Sequence, residues 1–493
     1  MDAVTSPVVQ TASSDDHRNR NAHADGEEVT SNHSIRTLSP AKPALPLLLS
    51  SDAEKRANAS ANTADDQDGG IPVEIEGDEA NATASSDDTF PEGGLEAWLV
   101  ILGAFLGLFA SFGFMVSVGT VQEYLQTHQL SQYSSRDVGW IPSVFVYLAL
   151  GLGIWVGPLF DRYGPRWISL VGSVCYVVMV FLLAECKLYW QFLLCLGILG
   201  GTAGATLTTT ALAVVSHWFK RRRGLAHGIA MTGSSVGGVT FPLILRRALP
   251  LYGYAWSIRI VGFVIVACLV LCNILTKPRL RPSPEAKQQK VLSLGLFGDL
   301  KFTFLTISVF GFEIVLFGAL GILPTYATYS GNYPADTGFY LIAVLNGVSC
   351  VGRILPGFLS DFIGRFNTLL IMIVFTLVMM LVLWLPFGTT SLAVLYAFSA
   401  LFGFGTGAWM ALTPACIGQL CEAAEFGRYY GTLYFIGSLA TLVCVPISGE
   451  LVESVGPQIM VGFMCAILGL AMMTFSLSRW ACLGWKWEWK AKV

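Results

Sequence analysis

Gly157-Pro158-Leu159-Phe160-Asp161-Arg162-Tyr163-Gly164-Pro165-Arg166 and, 200 residues later, Gly357-Phe358-Leu359-Ser360-Asp361-Phe362-Ile363-Gly364-Arg365 decide how this chain is read. Glycine, aspartate and glycine recur at identical spacing, each time directly after a long apolar run. Two such loops at equivalent places are the signature of a duplicated unit. Each residue type has a physical use there. The first glycine lets two helices approach closely, the carboxylate can accept bonds at a helix N-terminus or from an arginine, and the second glycine permits a tight turn. The repeat therefore reads as a gate, with Gly157, Asp161, Arg162, Gly164 and Arg166 in one half and Gly357, Asp361, Gly364 and Arg365 in the other. Simple anchoring of the helices at the membrane interface is the competing reading.

The apolar runs around these loops set the architecture. Hydrophobic residues make up 54% of the chain and charged residues only 13%, with a mean hydropathy of +0.60, whereas soluble domains carry about 25% charged residues. A helix of about twenty apolar residues spans the ~30 Å hydrocarbon core, because lipid offers backbone groups no other partner. Twelve such runs are present, roughly Ala97–Gly119, Val138–Phe160, Trp167–Ala184, Trp190–Ser216, Leu225–Leu245 and Trp256–Thr276, then Phe302–Tyr326, Thr337–Gly357, Thr368–Phe387, Ser391–Leu412, Tyr429–Ser448 and Gln458–Leu477. The expected fold is an all-α membrane protein with twelve transmembrane helices in two halves of six.

Five segments follow. Residues 1–90 form an acidic tail, rich in Ser, Ala, Asp, Glu and Asn, that cannot bury enough apolar surface to offset its ordering entropy and is expected to be disordered. Residues 91–276 form the first bundle, 277–301 a central loop, 302–478 the second bundle and 479–493 a C-terminal tail. The tail shows no signal peptide, so the first span does the targeting. Of the 30 Lys and Arg, only Arg136, Lys187, Arg246, Arg247 and Arg259 fall on the face opposite both termini, and Arg353 falls inside a helix. The positive-inside rule then makes both termini cytoplasmic, with the plasma membrane as the expected location. In that orientation the sequons at Asn58 and Asn81 stay unglycosylated. Eleven cysteines scatter through apolar stretches with no CxxC pair, which reads as packing residues, not disulfides or metal ligands.

The duplicated loop resembles the signature of the major facilitator superfamily, whose fold is two pseudo-symmetric six-helix bundles around a central cavity. Two further stretches, Glu92-Gly93-Gly94-Leu95-Glu96-Ala97-Trp98 and the sixteen residues from Trp218 to Gly233, resemble the paired signatures of the monocarboxylate porter family within it. The second holds Arg222, Arg223, Gly228 and Gly233, as the first holds Gly93 and Trp98. The resemblance implies a secondary active transporter that moves a small organic anion or metabolite by alternating access, with protons as the candidate coupling ion. Relatives in fungi include metabolite exporters, so an efflux pump is the alternative.

Charges inside the membrane bear most on mechanism, since each costs several kcal/mol unless it faces a cavity or a partner. Arg353 occupies the eighth span, where the resemblance implies an arginine that binds the substrate carboxylate through its bidentate fork. Pairing with a backbone carbonyl is the competing reading. Glu313 lies about eleven residues into the seventh span, close to mid-membrane, and is either a proton carrier or a structural acid within the bundle. Asn346, Tyr326 and Trp409 complete the candidate translocation set. The family's lysine in the first span and aspartate in the eighth correspond to Val116 and Ser349, so both ionisable groups are missing, which points to a larger, less charged cargo. The sixteen-residue stretch also contains His227, which reads as an interface residue, and Pro242, Pro356, Pro414 and Pro446 are candidate hinges.

Other classes of function lack support in the sequence. It has no nucleotide loop, no metal-ligand cluster and no convergent catalytic set, so neither an enzyme, a cofactor nor a metal is expected, and a transporter-like sensor lacks a folded signalling domain. The implied partners are a small-molecule substrate, an organic acid or secondary metabolite, and the lipid bilayer, without nucleic acid.

Overall fold

The computed structural model describes residues 90–279, 294–331, 333–334, 336–486, 488 and 491–492. The rest of the tail expected over residues 1–90, both sequons and most of the central loop lie outside them. Among the described residues every regular element is helical. The membrane helices are α1 (Leu95–Thr127), α2 (Asp137–Tyr163), α3 (Pro165–Leu183), α4 (Tyr189–Trp218), a 53-residue helix Arg223–Leu275, α7 (Leu300–Gly331), α8 (Asp336–Ile363), α9 (Arg365–Phe387), α10 (Leu392–Leu420), α11 (Phe426–Ser454) and α12 (Pro457–Cys482).

The 53-residue element cannot be one crossing, since at 1.5 Å per residue it would run about 80 Å. Gly253 divides it, with φ 72° and ψ 178°, into α5 (residues 223–252) and α6 (residues 254–275). Twelve crossings result, as the sequence predicts. The helices extend past the expected spans at most ends. For example, α1 reaches Thr127 and α12 reaches Cys482, beyond the boundary expected at 478, and α7 already begins at Leu300 inside the expected central loop. Hydropathy detects only the lipid-spanning centre of a helix, whereas its polar ends continue into the interface. The prolines expected as hinges sit inside unbroken helices. Backbone irregularity appears instead as π segments at Phe109–Gly113 in α1, Leu193–Gly200 in α4 and Met380–Trp384 in α9. All eleven cysteines are free.

The two halves meet along equivalent helix pairs, α2 against α11 and α8 against α5. Glycines bring the backbones together. A Cβ at Gly157 would overlap the carbonyl of Gly427, one at Gly431 would overlap that of Gly153, and one at Gly228 would overlap that of Arg353. Gly224 and Gly357 abut in the second pair, where a Cβ on Gly357 would stand 2.7 Å from the Gly224 carbonyl oxygen. Gly164 and Gly364 turn the repeated loops at φ 78° and 108°, a conformation costly for any residue with a Cβ. The repeated loops, the loop between α4 and α5 and the start of α1 lie on one side of the bundle, the basic face.

The break at Gly253 is testable. Gly253→Ala should lower the thermal midpoint of the detergent-solubilised protein, because the left-handed backbone costs an L-residue about 1–2 kcal/mol. Gly469→Ala, on an ordinary helix with nothing within 4 Å of the new methyl, should leave it unchanged.

Candidate substrate cavity and gate

Helix N-termini carry unpaired N–H groups and partial positive charge, so a carboxylate placed there is stabilised. The repeated loops exploit this across the two halves. Asp161, at the end of α2, accepts from the amides of Gly427 and Arg428 at the start of α11, at 3.0 and 2.8 Å. Asp361, at the end of α8, accepts from the amides of Gly224 and Leu225 at the start of α5, at 2.9 and 3.0 Å. The same contact is made twice. Of the two partners open to the carboxylate on sequence grounds, the helix N-terminus is the one observed. Arg365 donates to the Lys220 carbonyl, Arg162 is half-buried and Arg166 is exposed.

The two stretches read as family-like signatures in the sequence form one structure. The Glu92 carboxylate accepts from the backbone amides of Lys220, Arg221 and Arg222, at 2.8, 2.5 and 3.0 Å. Trp98 packs edge-on against Phe219, with ring centroids 5.7 Å apart. With Asp361 seated just beyond, five amides at the entry to α5 are held by two carboxylates, one from each half. Arg223 is buried and donates to the carbonyls of Phe219, Ser216 and Gly418, the last on α10. Arg222 is exposed, while Gly228 and Gly233 pack on the backbones of α8 and α1. His227 is buried at the same junction, bonded to Ser216 and stacked on Phe426. Glu92, Gly418 and the amides of α11 were not among the expected site residues. Glu92 was legible only as part of a signature, and main-chain groups leave no mark in a sequence.

Above this closed face a cavity lies between the halves. It is lined by Phe112 and Val116 of α1, Leu316, Phe317 and Leu320 of α7, Leu345, Asn346, Ser349 and Arg353 of α8, and Thr406 and Met410 of α10. Its free volume of ≈ 20 Å³ admits about one water, so cargo would have to widen it. Phe112 belongs to the π segment of α1, which re-aims the side chains of that turn. Arg353 is 4% exposed. It donates through Nη1 to the Met231 carbonyl and the Ser234 hydroxyl of α5, while Nε has no partner. No carboxylate among the described residues pairs with it.

The structure separates the rest of the expected set. Asn346 joins Arg353, its amide nitrogen bonding the Ile342 carbonyl at 3.1 Å. Val116 and Ser349 line the same cavity. Trp409 stacks on Phe312 at 5.0 Å and Tyr326 packs edge-on against Trp384 at 5.6 Å, both within the second bundle and away from the cavity lining. Glu313 points to α11 and does not meet Arg353.

If the carboxylates hold the basic face shut, Asp161→Asn and Asp361→Asn should each open it, since a charged hydrogen bond is worth about 1.5–3 kcal/mol. Spin labels at Arg221 and Glu422, both exposed beside the gate, should show a new long-distance population by pulsed electron resonance in either variant. An unchanged distance distribution in both would leave the loops as anchors.

Residues 100–438 and 348–481 match the Major Facilitator Superfamily model. The chain is 36% identical over 424 residues to a riboflavin transporter of Saccharomyces cerevisiae, covering 81% of each protein. It is 34% identical to the fujikurins efflux protein of Gibberella fujikuroi, covering 87% of this chain and 91% of that protein. The aspyridones efflux protein of Emericella nidulans is 36% identical, with coverage of 80% and 78%. Among solved structures, a human organic anion transporter superposes with a TM-score of 0.63 at 16% identity, over 78% of this chain and all of that one. A fucose–proton symporter of Escherichia coli superposes with a TM-score of 0.62 at 16% identity, over 78% and 98%.

Proposed function

This chain belongs to the major facilitator superfamily, and from that premise we propose that it is a secondary active carrier of an amphipathic organic anion, a metabolite with an apolar body and one acidic group. One observation carries the reading. Among the described residues Arg353 is a buried cation without a countercharge, in a cavity to which both halves contribute. An uncompensated charge at membrane depth is costly unless a ligand completes it. An anion entering from solution is the partner its position calls for, and the unpaired Nε is a free corner of the guanidinium fork.

The walls favour size over charge. Apart from Asn346, Ser349, Thr406 and Arg353, the lining is apolar and partly aromatic. Val116 and Ser349 stand where the monocarboxylate porters carry a lysine and an aspartate. A bare small acid such as lactate would find one cation and little else, whereas an extended metabolite can bury its body against Phe112, Leu316 and Phe317. The names of the relatives support a metabolite cargo, and a metabolite efflux pump fits the same geometry. In this reading the basic face is cytoplasmic, the membrane is the plasma membrane, and the carrier rocks about the cavity between the two glycine-packed helix pairs.

The test is counterflow in proteoliposomes holding the full chain, with labelled 2-naphthalenesulfonate, riboflavin and lactate as probes. The sulfonate is permanently charged and does not leak through lipid as a neutral acid. It should exchange, lactate should not, and Arg353→Ala and Arg353→Lys should each lose at least about tenfold of the exchange, because lysine lacks the planar fork. Undiminished exchange by the alanine variant would remove the arginine from cargo binding. Exchange of lactate alone would return the cargo to the small monocarboxylates.

A further inference from the structure

Two of the eleven cysteines stand apart from the packing role that the sequence suggests for all of them. Cys186 lies in the short loop between α3 and α4, and Cys195 lies on α4 within the π segment Leu193–Gly200. Both belong to the side of the bundle opposite the basic face, and they meet there. Cys186 Sγ donates to the Leu182 carbonyl at 3.3 Å, and Cys195 Sγ donates to the Met179 carbonyl at 3.2 Å. Those carbonyls are three residues apart on α3, so a single turn of that helix carries both thiols. The two side chains also hydrogen-bond to each other. Both cysteines are free.

Their neighbours fix this juxtaposition. The Gln191 carboxamide of α4 accepts from the amides of Lys187 and Leu188, at 2.8 and 3.0 Å, which ties the chain just after Cys186 to the first turn of α4. Glu185, just before it, pairs with Arg259 of α6. The π segment widens a turn of α4, an irregularity that re-aims side chains, and Cys195 is one of them. From α6, Tyr254 faces both thiols with a buried hydroxyl that has no hydrogen-bond partner. Its ring stacks on Tyr124 and meets Phe192 edge-on, which seals the site from within the bundle. Cys186 and Cys195 are 9% and 8% exposed, yet they differ in access. Cys186 is flanked by exposed Glu185 and Lys187, whereas Cys195 stands about 9 Å of rise below the start of α4.

We propose that Cys186 and Cys195 are a redox modification site, a dithiol that closes to a disulfide on the outer side of the membrane and staples the α3–α4 loop to the π segment of α4. The conformation described here is the reduced form. The pairing is independent of the cargo; only its compartment rests on the orientation proposed above, in which this side faces the oxidising exterior. The oxidant is a small disulfide of the glutathione class. Cys186 reacts first, because a hydrogen bond from Cys195 brings its thiol below the ordinary range, against the opposing effects of burial and of Glu185. Its thiolate attacks one sulfur of the oxidant, whose S–S bond breaks, and one small thiolate leaves with the electron pair. Cys195 then loses its proton, attacks Cys186 Sγ and expels the second small thiolate. Two protein thiols and one small disulfide become one protein disulfide and two small thiols, which carry away both protons.

The experiment equilibrates the purified full chain in glutathione buffers from reducing to oxidising, blocks the remaining thiols with iodoacetamide and digests with trypsin. Lys187 lies between the two cysteines, so cleavage there separates two peptides that only a Cys186–Cys195 disulfide holds together. A buffer as oxidising as the secretory pathway should give at least about tenfold more joined peptide than the reducing one. Cys175, on the same tryptic peptide as Cys186, should stay alkylated. The thermal midpoint of wild type should rise on oxidation, and Cys195→Ser should lose both that rise and the joined peptide. Full alkylation of both cysteines in the oxidising buffer overturns the proposal, as does Cys186 that carries glutathione without closing onto Cys195, or that joins Cys175 instead. The wild-type measurement decides by itself if the serine variant does not fold. In acid-quenched cells the joined peptide should be present without added oxidant. Its absence there, with closure of the purified chain, overturns the outer-side placement and the orientation it rests on, but not the pair.

Discussion

In the conformation observed, carboxylates from one half are bonded to backbone amides at helix N-termini of the other. Asp161 does this at α11 and Asp361 at α5, and Glu92 adds a third carboxylate at the entry to α5. The bond is strong because charge meets a helix dipole, yet reversible because a helix end can be hydrated when released. A side-chain ion pair on the same surface would be worth less and be screened by salt.

Two ionisable side chains lie at membrane depth. Arg353 is held on α5 by main-chain and hydroxyl oxygens, so its position follows the α5–α8 contact. Glu313 of α7 is packed on α11 within the second bundle. Arg353 thus lies at one of the two equivalent helix pairs, whereas Glu313 lies inside the second bundle. Neither needs the other as a salt-bridge partner.

Much of the architecture was legible in the sequence. The repeated Gly-Asp-Gly loops gave the duplication, and the apolar runs gave all twelve crossings, including the pair that Gly253 separates within one continuous helix. Arg353, Val116 and Ser349 were reached through the family resemblance, and together with Asn346 of the candidate set they share a cavity. Tyr326 and Trp409 were chosen as aromatics at membrane depth, a criterion that does not tell a cavity wall from a bundle core, and both pack in the core. Helix ends were underestimated because polar residues at the interface lower hydropathy without ending a helix. The role of Glu92 depends on three amides brought beside it by the fold, which no residue pattern encodes.

The contacts between the halves run largely through glycines, where backbone meets backbone at Gly157 and Gly427, Gly153 and Gly431, and Gly224 and Gly357. Such a seam has few side chains of its own. Residues facing the cavity can therefore be exchanged for larger, smaller or more polar ones with little disturbance to the surface on which the halves rock. Apart from Arg353, which lines the cavity and also bonds across the seam, cavity wall and seam are built from different atoms, so new cargo can be acquired without rebuilding the hinge.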